Sequence, residues 1–172
     1  ALAGQLRDLV GRESEVEPIA ADLLPRRTFC AGAGPDAPLA LEVALKTRET
    51  AYTSIDALPT EQFIHGPMVT MNPGDGAILF ATDAAGKPRS RELLGICADI
   101  GLQSWVVGDL PDVPAGVITF PLVAAHPLLA PNLALIPLQL FACYTAAIKG
   151  TNADTFRGDV PEYKRAWDDL QF

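Results

Sequence analysis

The amino-acid sequence predicts a three-layer α/β/α sandwich with a doubly wound, mostly parallel sheet of about five strands. Short apolar runs alternate with helical patterns along most of the chain. These runs are apolar almost without interruption, which is typical of parallel strands covered on both faces. Right-handed crossovers between such strands place helices on both sides of the sheet. Ligands of such folds gather beyond the carboxyl ends of the strands.

The first elements are a helical region and a buried strand. Residues 2–24 show an amphipathic helical pattern, in which Gly11 and Pro18 are expected to cause breaks. The segment TFCAGAG at 28–34 is a short apolar run that ends in glycines. We therefore expect a buried strand that leads into a tight turn.

The clearest helix of the sequence follows this turn at residues 36–52. Asp36 is a candidate N-cap, and Pro38 is tolerated in the first helical turn. A short extended segment at 53–58 and a brief helix at 59–65 come next.

The second half repeats the alternation of strands and helices. The C-terminal tail is polar and rich in turns, with one short closing helix at about 163–170. This pattern predicts strands at 77–83, 103–109 and 115–122, with helices at 87–101 and 132–150. The chain is thereby divided into an N-terminal helical segment (1–27), an α/β domain (28–150) and a tail (151–172).

Composition excludes several classes of function. The chain has 172 residues, a net charge of −8 and a pI of about 4.6, so clustered cations for nucleic-acid binding are not expected. No apolar run reaches the length of a membrane span, and no signal-peptide profile precedes the first helix. We expect a cytoplasmic protein that binds neither nucleic acid nor a membrane.

Neither the cysteines nor the glycine-rich turn indicates a metal or a cofactor. Cys30, Cys97 and Cys143 lie in apolar segments and are expected to be small core residues in a reducing compartment. With two scattered histidines they do not form a zinc ligand set. The GAG turn at 32–34 lacks the third glycine of a dinucleotide-binding fingerprint, so we expect no cofactor.

The clearest helix carries a stripe of charge. Glu42, Lys46 and Glu49 are spaced four and then three positions apart, which places them on one face. The adjoining apolar face consists of Leu41, Ala44 and Leu45. The stripe is either a solvated ladder, with Glu42–Lys46 as the favourable pair, or a carboxylate base beside a stabilising cation. Spacing does not decide between the two.

One histidine, His65, lies at the end of a short helix, before a conformationally restricted Gly-Pro turn. His65, in EQFIHGP, ends the brief helix directly before Gly66 and Pro67, which prevent its continuation. A histidine titrates near neutrality, so a fixed direction for its ring suits acid–base chemistry. The alternative is a capping or surface histidine.

These motifs resemble the sugar isomerase (SIS) domain family. ALEVALKTRETAY followed by FIHGP is similar to the second of the two SIS domains in glucosamine-6-phosphate synthase and related chains. The segment LAPNLALIPLQLFACYTAAIKGTNAD resembles the last helix and the tail of that half. The likeness runs from Phe29 to Asp154, and the interval from Glu49 to His65 (65 − 49 = 16) is the one expected in the family.

The resemblance implies a role for each of these residues. Glu49 would shuttle a proton between adjacent sugar carbons, with Glu42 and Lys46 as its supporting pair. His65 would assist ring opening and would typically reach into the site of a neighbouring subunit, which implies a homodimer. The implied ligand is a phosphorylated sugar or amino sugar, and no metal or cofactor is implied.

The chain also departs from the family pattern. Ala33 replaces an arginine between the glycines, which leaves Gly34 as a substrate-binding candidate at this turn. Gln62 replaces a carboxylate three positions before the histidine. The tail is longer than usual, and Lys164 is the residue proposed for the family lysine that engages the open-chain sugar. Amino-group transfer by the chain alone is therefore not expected.

The hydroxyl-rich loop that binds phosphate in the family is missing, since the four serines are isolated. We therefore expect the chain to be the C-terminal half of a longer, two-SIS-domain protein.

Three functions remain open. The first is aldose–ketose isomerisation, or deamination or deglycation of an amino sugar phosphate. The second is a non-catalytic phosphosugar-binding regulatory module. The third, less supported, is nucleotide or flavin binding by a flavodoxin-like protein.

Overall fold

A computed structural model describes residues 2–123, 125–126 and 129–170. Within them, five parallel strands form one sheet, which confirms the predicted number and direction of the strands, and their order is β2-β1-β3-β4-β5. The predicted segments 1–27 and 151–172 each extend slightly outside the described residues. The strands are β1 (Thr28–Gly32), β2 (Asp56–Pro59), β3 (Gly76–Ala81), β4 (Gln103–Gly108) and β5 (Ile118–Phe120).

The predicted helices are all present, with one difference near the N-terminus. The expected break at Gly11 separates α1 from α2, but Pro18 lies inside α2. Pro18 removes one backbone hydrogen bond, and the buried face of α2, which includes Val16 and Ile19, packs against α6 and keeps the helix intact. The helices are α1 (Leu2–Val10), α2 (Glu13–Leu23), α3 (Ala37–Ala51), α4 (Thr60–Ile64), α5 (Lys87–Ile100), α6 (Ala130–Lys149) and α7 (Pro161–Asp168).

Strand register divides the core into two apolar layers. Cys30, Ile78 and Trp105 are neighbours across β1, β3 and β4 and pack under α1, α2, α3 and α6. The residues one position later in each strand, Ala31, Leu79 and Val106, pack under α4 and α5 on the opposite face. Successive strand residues point to opposite faces, so a shift of one residue would exchange the two layers.

α6 corrects the expectation that no apolar run reaches the length of a membrane span. By length and composition alone, its 20 residues could cross a membrane, and no other helix in the described ranges meets that criterion. However, α6 packs against α1, α2 and α3, and Leu133, Leu138 and Phe141 are fully buried there. The helix therefore serves as a core element of one outer layer.

The cysteines differ from each other in burial. Cys30 and Cys97 lie in the core, as expected, whereas Cys143 is exposed, so the prediction was wrong for that residue. Cys143 follows the buried Ala142 in α6 and lies off the face that packs against the protein. Burial raises the pKa of Cys30 well above its usual value and that of Cys97 to about 12.

Candidate active site

Three charged side chains of α3 form an ion-pair cluster in which Lys46 is central. Its Nζ lies 2.7 Å from Oε2 of Glu49 and 3.9 Å from Oε1 of Glu42. The common face predicted from spacing is confirmed, but the shorter pair is Lys46–Glu49 rather than Glu42–Lys46. The hydrogen bond to Glu49 raises the pKa of Lys46, against the opposing effect of desolvation.

The apolar residues predicted beside this stripe are not all buried. Ala44 is buried, whereas Leu41 and Leu45 are 53% and 44% exposed. Contact of α3 with the sheet and with α6 is made by a face rotated away from these leucines. This buried face consists of Leu39, Ala40, Val43, Ala44, Thr47 and Ala51.

Glu49 lines a cavity of about 380 Å³ between the end of α3 and the C-terminal tail. Its side chain is 25% exposed, so the carboxylate is partly shielded yet accessible. Two guanidinium groups and four aromatic rings share this cavity. Its lining consists of Arg48, Glu49, Tyr52, Ser54, Phe156, Arg157, Tyr163 and Trp167.

Hydrogen bonds of Tyr52 hold the tail over the end of α3, and a bond of Trp167 closes the tail on itself. The Tyr52 hydroxyl donates to the carbonyl of Asn152 (3.0 Å) and accepts from the backbone N–H of Arg157 (3.1 Å). The Trp167 Nε1–H donates to the carbonyl of Phe156 (2.8 Å). These contacts form one wall of the cavity from residues beyond 151.

Sequence analysis missed the tail residues of this cavity. Tyr163 and Trp167 are four positions apart on α7, and their ring centroids lie 6.3 Å apart. This spacing indicates a shared helix face and was the available signal. Arg157 gave no such signal, since its contact with Tyr52 joins residues that are 105 positions apart in the sequence.

His65 lies at the end of α4 and outside the Glu49 cavity of its own chain. Its side chain is 74% exposed, and Nε2 lies 3.5 Å from Oε2 of Glu61. The carboxylate beside this histidine therefore belongs to Glu61, whereas position 62, where the family pattern has a carboxylate, is a glutamine. Glu61 also accepts a hydrogen bond from Nη2 of Arg89 (2.9 Å). Arg89 is the main cause of the lowered pKa of Glu61.

The turn after β1 is organised by Asp36. Its carboxylate is buried and accepts hydrogen bonds from the backbone N–H groups of Thr82 (2.7 Å) and Asp83 (3.1 Å), as well as from the Thr82 hydroxyl. The prediction that Asp36 caps α3 was therefore wrong, because its side chain makes no capping hydrogen bond. Asp36 instead ties together the ends of β1 and β3, where this strand order reverses and ligands of such folds usually bind.

The two remaining candidates lie elsewhere. Gly34 begins a 3-10 turn (Gly34–Asp36) with a φ of 55°, a conformation that favours glycine. Lys164 is on α7 with its side chain 63% exposed and 3.3 Å from Asp168. Lys164 does not line the Glu49 cavity. Across the residues that the structure covers, no cluster of three or more His, Cys, Asp or Glu side chains is arranged for a metal ion.

Comparison with known proteins identifies relatives of the chain. No family model matches the chain. A Sphingobium yanoikuyae protein named glutamine–fructose-6-phosphate aminotransferase (isomerizing) is 31% identical over 151 residues, which cover 81% of this chain and 92% of that protein. Several relatives of the same name are much longer, and the chain spans about a quarter of their length.

Solved structures show the same fold. The C-terminal domain of glucosamine-fructose-6-phosphate aminotransferase from Francisella tularensis superposes with a TM-score of 0.81 at 23% identity, over 89% of this chain and 44% of that chain. The tagatose-6-phosphate ketose/aldose isomerase from Escherichia coli gives a TM-score of 0.68 at 17% identity, over 88% of this chain and 45% of that chain.

Proposed function

Because the chain belongs to the SIS (sugar isomerase) domain family, we propose that it supplies the acid–base residues of a cytoplasmic sugar-phosphate enzyme. The proposed reaction is aldose–ketose isomerisation, or the related deamination or deglycation of an amino sugar phosphate. The observation that carries the proposal is the Glu49 carboxylate, 2.7 Å from Lys46 and facing a cavity of about 380 Å³. This volume suits a small polar ligand.

In this proposal Glu49 is the general base. Its carboxylate removes the proton from the carbon next to the carbonyl group and returns it to the neighbouring carbon. The ammonium group of Lys46, 2.7 Å from Glu49, stabilises the negative charge of the enediolate. Glu42, 3.9 Å from Lys46, limits the positions available to that ammonium.

His65 is proposed to assist ring opening in the site of a neighbouring subunit of a homodimer. Its 74% exposed side chain is accessible to a second chain, which supports this assignment. The segment from Phe63 to His65 is anchored, because the Phe63 ring is buried against Phe29 at 5.3 Å between centroids. The roles of Gly34 and Lys164 in sugar binding stay predictions.

We further propose that the chain is the C-terminal half of a two-domain protein, with 28–150 as its SIS domain. Its span of about a quarter of several relatives supports this proposal. The site candidates include no hydroxyl-rich loop, so a preceding domain would contribute the hydroxyl and backbone contacts to the phosphate.

The test is turnover by the full-length gene product with fructose 6-phosphate, glucosamine 6-phosphate and a fructosamine 6-phosphate. Glu49→Gln keeps the shape of the side chain and removes the base, so we expect a loss of about 10²- to 10⁴-fold in kcat. Glu162→Gln is the matched control, because that carboxylate is 70% exposed on α7. Equal turnover by wild type and Glu49→Gln would refute the assignment of the base.

A non-catalytic, regulatory phosphosugar-binding module is the second candidate. It is favoured by the position of His65 outside the Glu49 cavity of its own chain. Ligand-dependent thermal stabilisation without turnover of any of the three sugars would support this candidate over the enzyme.

A further inference from the structure

The Glu49 cavity is positively charged although the protein is acidic. Glu49 is its one carboxylate among the described lining residues, and Lys46 already neutralises that charge at 2.7 Å. The guanidinium groups of Arg48 and Arg157 lie on the same walls, whereas the whole chain has a net charge of −8. Such a local excess of positive charge attracts anionic ligands.

Arg157 has no anionic partner in the part of the chain that the structure describes. Its guanidinium lies over the rings of Tyr52 (4.3 Å) and Tyr163 (4.4 Å), and Nη1 donates to the Tyr163 hydroxyl (2.6 Å). The Nε atom of Arg157 is buried and has no hydrogen-bond acceptor among the described residues. The Nη2 atom likewise donates no hydrogen bond to a described residue, whereas Nη1 is bonded to Tyr163. Arg157 as a whole is only half-buried, so an anion can reach the guanidinium and accept charge-assisted hydrogen bonds from it.

Arg48 is less free to bind a ligand. Its Nη2 donates to the carbonyl of Ile55 at 2.9 Å, which ties the side chain to the loop before β2. Arg157 is therefore the stronger of the two candidates for direct contact with an anion.

Backbone conformation distinguishes the same cavity. Four non-glycine residues in the described ranges have a positive φ, and three of them line this cavity: Tyr52 (52°), Phe156 (46°) and Arg157 (61°). This left-handed conformation is unfavourable for residues with a Cβ atom, and it clusters at functional sites. Here it turns the tail so that the Arg157 guanidinium lies against the end of α3.

We propose that Arg157 is an anion-binding residue that holds the phosphate group of the substrate in the Glu49 cavity. This inference rests on the proposed function, since it supplies an anion contact within a chain that lacks the hydroxyl-rich loop. Because Arg157 and Glu49 line one cavity, a single sugar phosphate is expected to place its phosphate at Arg157 and its reacting carbons at Glu49. A tail residue thereby selects phosphorylated over neutral sugars.

The test is a titration of the full-length gene product with fructose 6-phosphate and with inorganic phosphate, monitored by calorimetry and by tryptophan fluorescence. Arg157→Met removes the charge and keeps an apolar side chain between the two tyrosine rings. We expect it to weaken the binding of both probes by roughly 10- to 100-fold. Arg157→Lys keeps the charge without the planar fork, and we expect intermediate binding.

Arg165→Met is the matched control, because Arg165 is a tail arginine with its side chain 72% exposed. We expect binding by this variant within twofold of wild type. The proposal is overturned if wild type shows no saturable binding of either probe. Equal affinities of Arg157→Met and wild type, or equal losses in Arg157→Met and Arg165→Met, also overturn it. If Arg157→Met loses the native tryptophan emission and is therefore misfolded, Arg157→Lys decides instead, and wild-type affinity of that variant would refute the proposal.

The outcome is separable from that of the proposed function. Phosphate binding that depends on Arg157, together with unchanged turnover in Glu49→Gln, supports the anion site and refutes the base. Loss of turnover in Glu49→Gln, with full binding by Arg157→Met, supports the base and refutes the anion site.

Discussion

The ammonium group of Lys46 lies 2.7 Å from the carboxylate of Glu49 and 3.9 Å from that of Glu42, so one cation serves two acids. Glu42 precedes Lys46 by four positions and Glu49 follows it by three, and both spacings bring side chains together on a helix. This arrangement pairs the proposed base with a cation at the wall of a cavity, so removal of the cation should affect catalysis.

Lys46→Met should lower kcat by about 10- to 100-fold, because the enediolate loses a nearby positive charge. We expect a smaller change in KM, since the charge develops in the transition state. Steady-state kinetics of the full-length protein with fructose 6-phosphate would measure both constants. A change confined to KM would contradict the proposed role of the ammonium group.

The same ion pair predicts a dependence of stability on alkaline pH. Glu49 raises the pKa of Lys46 above its usual 10.5, so the pair stabilises the folded state below that pH. The contribution is lost as pH rises through the raised pKa. Since 35% of the Lys46 side chain is exposed, we expect only a few tenths of a kcal/mol. Urea unfolding of wild type and Lys46→Met from pH 8 to pH 11 would show converging stabilities.

Asp36→Asn should destabilise the fold by about 2 kcal/mol, because the amide loses the charge that accepts three hydrogen bonds from Thr82 and Asp83. For a chain of this size the melting temperature should fall by about 4–8 °C. Asp99→Asn on the exposed side of α5 is the control and should have little effect. Calorimetric melting of the three proteins measures the difference.

Thiol reactivity should distinguish the three cysteines. Cys143 is exposed, whereas burial raises the pKa of Cys30 and Cys97 and shields both sulfur atoms. In native protein we expect one thiol to react rapidly with a disulfide reagent and two to react only after unfolding. Cys143→Ser should abolish the rapid phase. A second rapid thiol in this variant would contradict the assigned burial.

Phe63→Ala should destabilise the protein by about 3–5 kcal/mol, because a buried ring that contacts Phe29 is removed and a cavity remains. Val69→Ala is the control, since Val69 is 82% exposed. Because Phe63 anchors α4, we also expect faster amide exchange at His65 in Phe63→Ala. Unfolding titrations and hydrogen exchange measure the two effects.

Much of the fold follows from local patterns. Alternation of apolar strands with helices predicts the parallel sheet, because strands buried on both faces need apolar residues at every position. Glycine at 101, with a φ of 92°, closes α5 as the sequence indicates. The spacing of Glu42, Lys46 and Glu49 likewise predicts their common face, since helical geometry is local.

Tertiary structure decided the features that depend on contacts between distant segments. Asp36 contacts Thr82 rather than its own helix, and Arg157 lies over Tyr52, more than a hundred positions away. The choice of Glu49 over Glu42 as the closer partner of Lys46 also depends on side-chain placement in the folded protein. Periodicity reports which face a residue occupies, whereas packing between elements determines which groups that face meets.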